Sequence, residues 1–458
     1  MSPKRVLIVG GVAGGASCAA RLRRLDESAE IIIFEKGPYI SFANCGLPYH
    51  ISGVIEERSS LLVQTPERFK QAFRIEARVD SEVVSINRTA RTIDVRDAAG
   101  RTCTEKFDYL VLAPGARPIK PPIPGIDLPG IHTLRNIPDM DAILAQIEKN
   151  VPRRALVIGG GYIGVEVAEN LHARGIDCAI VEKLPQVMPP IDWEMANILH
   201  EHLRAKGIAV WLSDGVASFA SDGDFAITTT LESGRRVGAD LVILSIGVRP
   251  DVRLAREAGL TIGSIGGIAV DPHMLTNDPH IYAVGDAVEV TNIVTSAEAL
   301  IPMAGPANRQ GRIAADNICG RPSLYHGSQG TSIVKVFDLT VATTGINERQ
   351  ARAASIPYSK VYIHPADHAG YYPHAFQMAI KALFRTDDGR LLGAQIIGPK
   401  GVDKRIDVLA VALRAGLTVY DLQDLELAYA PPYGSAKDAV NMVGFVAANA
   451  LEGLVDYV

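Results

Sequence analysis

No uninterrupted apolar stretch of about 18 residues occurs, the length a membrane span needs. Gly, Asn or a charged residue breaks every hydrophobic run, including the one between 439 and 455. Positive charge is not in excess either: 46 Lys and Arg face 51 Asp and Glu, so no overall basic field exists to hold nucleic acid or an anionic membrane. The five cysteines, Cys18, Cys45, Cys103, Cys178 and Cys319, form no CxxC pair, which removes the usual zinc and paired-thiol motifs, and no metal site is expected. Their odd number and wide scatter suit a reducing compartment, the cytoplasm. With 47% apolar and 21% charged residues the chain is neither disordered nor collagenous, and 458 residues allow about three domains. The N-terminus imitates a secretory signal, with two basic residues ahead of an apolar run. The glycine spacing and Arg-bearing helix behind it give a better account of the same residues.

One pattern is written twice. Arg5-Val6-Leu7-Ile8-Val9 is a short apolar run suited to a buried parallel strand, followed by Gly10-Gly11-Val12-Ala13-Gly14-Gly15 and a helical stretch to Leu25. The next apolar run, Ile31 to Phe34, ends in Glu35. The arrangement returns at Ala155 to Ile158, Gly159-Gly160-Gly161-Tyr162-Ile163-Gly164, a helix to about Arg174, and Cys178 to Val181 ending in Glu182. Gly159 follows Gly10 by 149 residues. Such a unit lets the backbone approach a pyrophosphate at the helix N-terminus, while an acid about 20 residues on accepts hydrogen bonds from a ribose. Here the acids lie 25 and 23 residues beyond the first glycine. The second copy completes G-x-G-x-x-G through Gly159, Gly161 and Gly164; the first has Val12 at the middle position. One such turn alone carries little weight. Two, each between a strand and a helix and each followed by a strand-terminal Glu, predict two dinucleotide-binding domains.

A third marker, Thr276 to Ala287, reads as a strand ending in Gly285-Asp286. Beside the two glycine turns it resembles the second flavin motif of the FAD- and NAD(P)-dependent disulfide oxidoreductases, in which the Asp binds the ribityl chain. Leu110 to Ala116 and Ile246 to Pro250 resemble that family's strand-to-crossover segments, with Pro114 where Thr is frequent. The resemblance covers nearly the whole chain. It implies an α/β fold of glutathione reductase type: two Rossmann-like dinucleotide-binding domains and a C-terminal α+β dimerisation domain. The FAD domain would comprise residues 1–115 and 244–328, the NAD(P) domain 116–243 and the dimerisation domain 329–458. The Pro-rich stretch Arg117 to Gly125 suits a stiff crossover at the first boundary.

Ser41-Phe42-Ala43-Asn44-Cys45-Gly46-Leu47-Pro48-Tyr49-His50 holds the informative thiol. Most free cysteines are small inert hydrophobes, the reading adopted for Cys18, Cys103, Cys178 and Cys319. Cys45 precedes a helix start, which predicts a lowered pKa and a reactive thiolate. Glutathione reductase relatives carry a second Cys five residues on; here that position is His50, so Cys45 works alone, as a mixed disulfide, persulfide or sulfenic acid. The peroxidase and water-forming oxidase branch usually carries a His in the first glycine turn, where this chain has Ala13. Ser41 to Tyr49 instead resembles the segment of coenzyme A-disulfide reductases and NADH-dependent persulfide reductases. Persulfide reductases of this group often carry a C-terminal rhodanese domain; the sequence ends at Val458, which tilts the expectation slightly toward disulfide.

The resemblance implies catalytic roles for Cys45 and for Tyr371 and Tyr429, two phenols that would reach across a homodimer to the partner's cysteine; Tyr372 and Tyr433 are the neighbouring-register alternatives. A phenol can donate a proton or hydrogen bond to a leaving thiolate. For FAD and NADH together, with NADPH the open alternative, it implies Gly10, Val12, Ala13, Gly14, Glu35, Lys36, Val83, Ala113, Gly115 and Arg135. Gly159, Gly161, Tyr162, Ile163, Gly164, Glu166, Glu182, Gly247, Asp286 and Ala304 complete that set. Coenzyme A would be held by Ser17, Arg21, Arg24, Ser41, Asn44, Arg74, Asn308 and Lys437, guanidinium groups suiting its phosphates. The expected activity is reduction of coenzyme A disulfide, or of coenzyme A or other low-molecular-weight persulfides, by NAD(P)H through FAD and Cys45. The alternatives are an NADH oxidase or peroxidase working through a Cys45 sulfenic acid, an electron-transfer reductase that needs no cysteine, and a non-catalytic dinucleotide sensor.

Overall fold

The computed structural model describes residues 3–455. Two parallel five-stranded sheets repeat one plan. In the first, the strands Ile281–Ala283, Tyr109–Leu112, Arg5–Val9, Glu30–Phe34 and Glu76–Arg78 lie side by side in that order. In the second the order is Ile131–Thr133, Leu241–Leu244, Arg154–Ile158, Asp177–Val181 and Ala209–Trp211. The registers match too: Arg5 pairs with Glu30 as Arg154 pairs with Asp177. Val6 to Ile8 and Leu156 to Val157 are wholly buried, because helices or sheet cover both faces of a parallel sheet and leave no polar-out position. Each sheet carries a three-stranded antiparallel appendage, Ser81–Asn87, Thr92–Asp97 and Thr102–Lys106 in one copy and Val216–Ala220, Ile227–Leu231 and Arg236–Ala239 in the other. The repeat seen in the sequence is therefore a repeat of whole domains.

The segments expected to form crossovers meet. Ala116–Pro118 pairs antiparallel with Val248–Pro250, so the chain leaves the first sheet and returns to it along one narrow ribbon. The helix Ala304–Ile318 lies along the first glycine-turn helix, Ala13–Leu25. They approach closely because a Cβ on Gly311 would overlap the carbonyl oxygen of Gly14.

The rest of the chain forms an antiparallel five-stranded sheet, Ser332–Val336, Leu339–Gly345, Leu391–Gly398, Ala379–Arg385 and Tyr358–Ile363, and Val402–Ala415 and Ala439–Leu451 share a core with it. Its joint to the second sheet's domain is partly apolar, Val334, Val336, Val341 and Ile397 entering that domain's core, and partly ionic. The ammonium of Lys381, with no exposed surface, is held by Asp192 and Glu194, at the start of the helix Trp193–Ala205, and by Glu348. These three carboxylates are the one group of potential metal ligands among the described residues, and Lys381 fills it. No helix among the described residues is long and apolar enough to cross a membrane.

Candidate active site

Both glycine turns have the form of an anion cradle. The helices Ala13–Leu25 and Tyr162–His172 start without a side-chain cap and without an acid in the first turn, whereas Pro66–Phe73 and Ile137–Asn150 are capped by Thr65 and Asn136. The free N–H groups and positive dipole end thus face outward for a phosphate. At Gly161 an added Cβ would meet nothing within 4 Å, so the missing side chain leaves space for a ligand. Gly164 has the opposite reason: its Cβ would strike the carbonyl oxygen of Gly159. The counterpart of Gly164 in the first copy is Gly15, whose Cβ would strike the carbonyl oxygen of Gly10 in the same way. The sequence reading named Gly14 in the cofactor set; the 149-residue offset points to Gly15 as the glycine that closes the turn.

The two strand-terminal acids brace these turns. Glu35 accepts from the N–H groups of Gly11 at 3.2 Å and Gly37 at 3.0 Å, and Glu182 from Gly160 at 2.7 Å and Leu184 at 2.8 Å. Each oxygen keeps acceptor capacity for a ribose hydroxyl. Burial raises the Glu35 carboxyl above its ordinary value, against the opposing backbone bonds. Lys183, next to Glu182, is taken by Glu232 at 2.8 Å. Lys36 is exposed and near Asp251, Ile163 is partly exposed, and Val83 is buried in the first core.

Arg135 ties the flavin-motif segments together. Its Nη2 lies 3.2 Å from Asp286 Oδ2, its Nε donates to the Ala116 carbonyl at 3.1 Å, and Gly115 packs against its tip. Burial raises the Asp286 carboxyl and Arg135 opposes that rise. Ala113 neighbours Gly10 across the sheet ends, Gly247 receives the N–H of Ile119 at the crossover ribbon, and Ala304 opens an uncapped helix. Tyr162 is hydrogen-bonded to Ser332, which puts its ring between the second glycine turn and the C-terminal sheet. These residues fit a flavin and a nicotinamide dinucleotide: two uncapped helix ends for pyrophosphates, two acids for riboses, and Asp286 paired with Arg135.

Cys45 lies in a 3₁₀ turn, Asn44–Gly46, ahead of the six-residue helix Leu47–Ser52, and is exposed in the single chain. The expectation of a lowered pKa is corrected here. Desolvation by the atoms around it pushes the thiol up, the Glu166 carboxylate adds to the rise, and Arg135 only partly offsets them. So short a helix sums few peptide dipoles, too few to outweigh the desolvation and an adjacent negative charge. Ser41 is buried and Asn44 half-buried beside the thiol.

Of the proposed coenzyme A set, Ser17 Oγ donates to Asn308 Oδ1 at 2.9 Å, joining the two long helices, and Arg24 lies over the Phe73 ring. Arg21 is paired with Asp316 at 2.8 Å and Arg74 with Glu27 at 3.3 Å. Lys437 is exposed on the loop before Ala439–Leu451. Tyr371 and Tyr429 are 75% and 47% exposed on the C-terminal domain, their phenols hydrogen-bonded to each other at 2.7 Å. That shared bond raises the Tyr371 phenol. The charged groups that act on Cys45 are Glu166, Arg135 and Asp286 of its own chain. Sequence reasoning gave Tyr49 no role, although its hydroxyl donates to Glu166 Oε1 at 3.0 Å.

A profile described as pyridine nucleotide-disulphide oxidoreductase matches residues 4–310, and that family's dimerisation domain matches residues 331–440. The chain belongs to this family. The coenzyme A disulfide reductase of Staphylococcus haemolyticus is 37% identical over 449 residues, 97% of this chain and 99% of that protein. The NADH oxidase of Methanocaldococcus jannaschii is 34% identical over 439 residues, 96% of this chain and 97% of its own. Among solved structures, reduced Bacillus anthracis CoADR-RHD superposes with a TM-score of 0.98 at 53% identity, covering 100% of this chain and 82% of that one. A NAD-dependent persulfide reductase from A. fulgidus gives 0.96 at 38% identity, covering 99% and 85%.

Proposed function

We propose that the protein is a cytoplasmic, homodimeric reductase that uses NAD(P)H to reduce coenzyme A disulfide, or coenzyme A and other low-molecular-weight persulfides, through FAD and one redox-active thiol, Cys45. The observation that carries this reading is Cys45 itself: an exposed thiol on a turn beside Asp286 and Arg135, with His50 where a second cysteine would stand. The relatives named for coenzyme A disulfide and persulfide reduction support the same substrate class.

The FAD domain is assigned to residues 1–115 and 244–328, the NAD(P) domain to 116–243 and the dimerisation domain to 329–458. NADH is favoured over NADPH, because the Glu182 carboxylate would repel a 2′-phosphate and Lys183 is already committed to Glu232. A bound flavin would supply the chemistry that turns a hydride into two electrons for sulfur. The chain's own work is binding and charge control. Gly161 and the uncapped helix ends receive phosphates, Tyr162 screens the cofactor face, and Arg135 with Asp286 fixes the flavin side of the thiol. The Cys45 thiolate attacks the acceptor sulfur: with a disulfide it forms a mixed disulfide and expels a coenzyme A thiolate, and with a persulfide it takes the sulfane sulfur and releases coenzyme A. Tyr371 and Tyr429 of the partner subunit, coupled through their shared hydrogen bond, would donate to the departing thiolate. Ser17, Arg21, Arg24, Ser41, Asn44, Arg74, Asn308 and Lys437 are proposed to hold coenzyme A.

The test is anaerobic NADH oxidation with coenzyme A disulfide and, separately, coenzyme A persulfide. Turnover should fall at least a thousandfold in Cys45→Ser, and the ratio of the two rates ranks the substrates. One specific observation favours a second reading, oxygen reduction through a Cys45 sulfenic acid: the relative named NADH oxidase. Ala13, in place of a histidine, weighs against it. Inactivity with both sulfur compounds, with rapid NADH consumption once oxygen is admitted, would replace the first reading by the second.

A further inference from the structure

The helix Leu47–Ser52 packs against the second glycine-turn helix, Tyr162–His172, and the Tyr49 to Glu166 hydrogen bond bridges them. Tyr49 follows Cys45 by four residues. Glu166 is half-buried, and among the described residues no cation pairs with it. The nearby cations are committed elsewhere. On the strand Ser332–Val336, Lys335 is bonded to Glu169, which also receives the Phe337 N–H, and Arg135 is held by Asp286. His50, next to Tyr49, spends Nδ1 on the Ile55 carbonyl at 2.6 Å. The Glu166 carboxyl is therefore bonded to Tyr49 and lies within electrostatic reach of Cys45 and of the like charge of Glu169. A carboxylate and a thiolate in this relation disfavour each other's ionisation, and the coupling is reciprocal.

We propose that Glu166, held by Tyr49, is a positioning residue that stores one proton for the Cys45 site, taking it up when Cys45 becomes a thiolate and giving it up when that thiolate is consumed. The inference rests on the reading of Cys45 as the redox thiol and assigns that site its proton. Reduction of an adduct Cys45–S–S–R by two electrons from the pyridine nucleotide breaks the S–S bond and leaves the Cys45 thiolate and RS⁻. RS⁻ takes one proton from solvent and departs as RSH, while the charge on Cys45 draws a second proton onto Glu166. Attack on the next RS–SR forms a new Cys45–S bond, breaks the substrate's S–S bond and expels RS⁻. The negative charge leaves Cys45, Glu166 ionises, and its proton makes good the one that Tyr371 and Tyr429 of the partner subunit give from their phenols to the expelled RS⁻. Over the cycle two electrons and two protons convert RSSR to two RSH, and Glu166 returns to its starting state. The electrostatics agree with this role: burial raises the Glu166 carboxyl to about 7, Glu169 adds to the rise and the Tyr49 bond opposes it.

The experiment measures the rate of Cys45 alkylation by iodoacetamide against pH in the reduced holoenzyme. Peptide-resolved mass spectrometry separates Cys45 from the exposed Cys103 and the half-buried Cys319. Wild type should titrate in two coupled steps. Glu166→Gln, which removes the charge and keeps an acceptor for Tyr49, should titrate in one step and react roughly three- to tenfold faster at pH 7.5, a change of up to about one pKa unit at the thiol. Tyr49→Phe removes one hydroxyl and leaves Glu166 neutral to higher pH, so its profile should move toward that of Glu166→Gln. It carries the test if the Glu166 variant fails to fold. Profiles that superimpose on wild type in the variant that folds overturn the proposal. Alkylation needs no acceptor, so this result stands apart from the turnover test of Cys45→Ser.

Discussion

A carboxyl that ordinarily ionises near 4.5 does so at about 7 in Glu166, first because burial strips its water. A group that binds its proton more tightly in the folded state contributes stability that is complete below the unfolded pKa and is lost as pH rises through the folded one. For Glu166 that window runs from about 4.5 to about 7. Glu166→Gln is neutral throughout, so it should be more stable than wild type at pH 8.5 by about 1–3 kcal/mol, and show little advantage at pH 5. Thermal unfolding at the two pH values checks this, and a constant difference would contradict it. The sequence shows Cys45 because its cue is local, a nine-residue segment with His50 in place of a second cysteine. It hides the use of Tyr49, because the partner that defines that use lies 117 residues away on another domain's helix. The thiol's raised pKa was hidden for the same reason: the helix start is local, whereas the packing that desolvates the thiol and the Glu166 carboxylate beside it are not.

Glycines in the two turns serve separable purposes. Gly15 and Gly164 have no room for a methyl group, since it would overlap the carbonyl oxygen of Gly10 or Gly159, whereas Gly161 opens onto space. Gly161→Ala should therefore keep its unfolding temperature within about 2 °C while KM for NADH rises at least tenfold, the methyl occupying the phosphate's approach. Gly15→Ala should lose about 3 kcal/mol or more, as overpacking against backbone does, and shed flavin in proportion. Steady-state kinetics, thermal unfolding and flavin absorbance read the three effects. The strand, glycine turn and helix were legible at both sites because the apolar run, the glycines and the terminal Glu occur in order within about 35 residues. The antiparallel appendages were not, because Thr92–Asp97 is half-exposed and Ile227–Leu231, though mostly buried, is filled by three threonines, so neither reads as a buried apolar run and their pairing follows from hairpin geometry.

The whole molecule depends on joints that no single segment announces. Lys381 is one residue in a strand that is apolar but for it and the terminal Arg385, yet it gathers Asp192, Glu194 and Glu348 from distant parts of the chain. Burial alone would raise the Glu348 carboxyl, but bonds from Lys360, Lys381 and Tyr358 outweigh it and hold the group at about 2. A lowered carboxyl stabilises the fold above its unfolded pKa and ceases to do so as pH falls through the folded value, here between about 4.5 and 2. Lys381→Met leaves the carboxylates without their cation and should cost about 3–5 kcal/mol at pH 7, with the deficit shrinking in acid. A deficit equal at pH 7 and pH 3.5 would show that packing alone is at stake.

The central claim is that one thiol, Cys45, carries the acceptor. The most direct measurement is to mix the oxygen-free, reduced protein with coenzyme A disulfide in the absence of NADH, quench in acid and map the adduct by peptide mass. The account predicts one coenzyme A joined to the peptide containing Cys45, none on those containing Cys103 or Cys319, and its loss when NADH is added before the quench. No adduct at Cys45, in a sample that still oxidises NADH with coenzyme A disulfide, would contradict it.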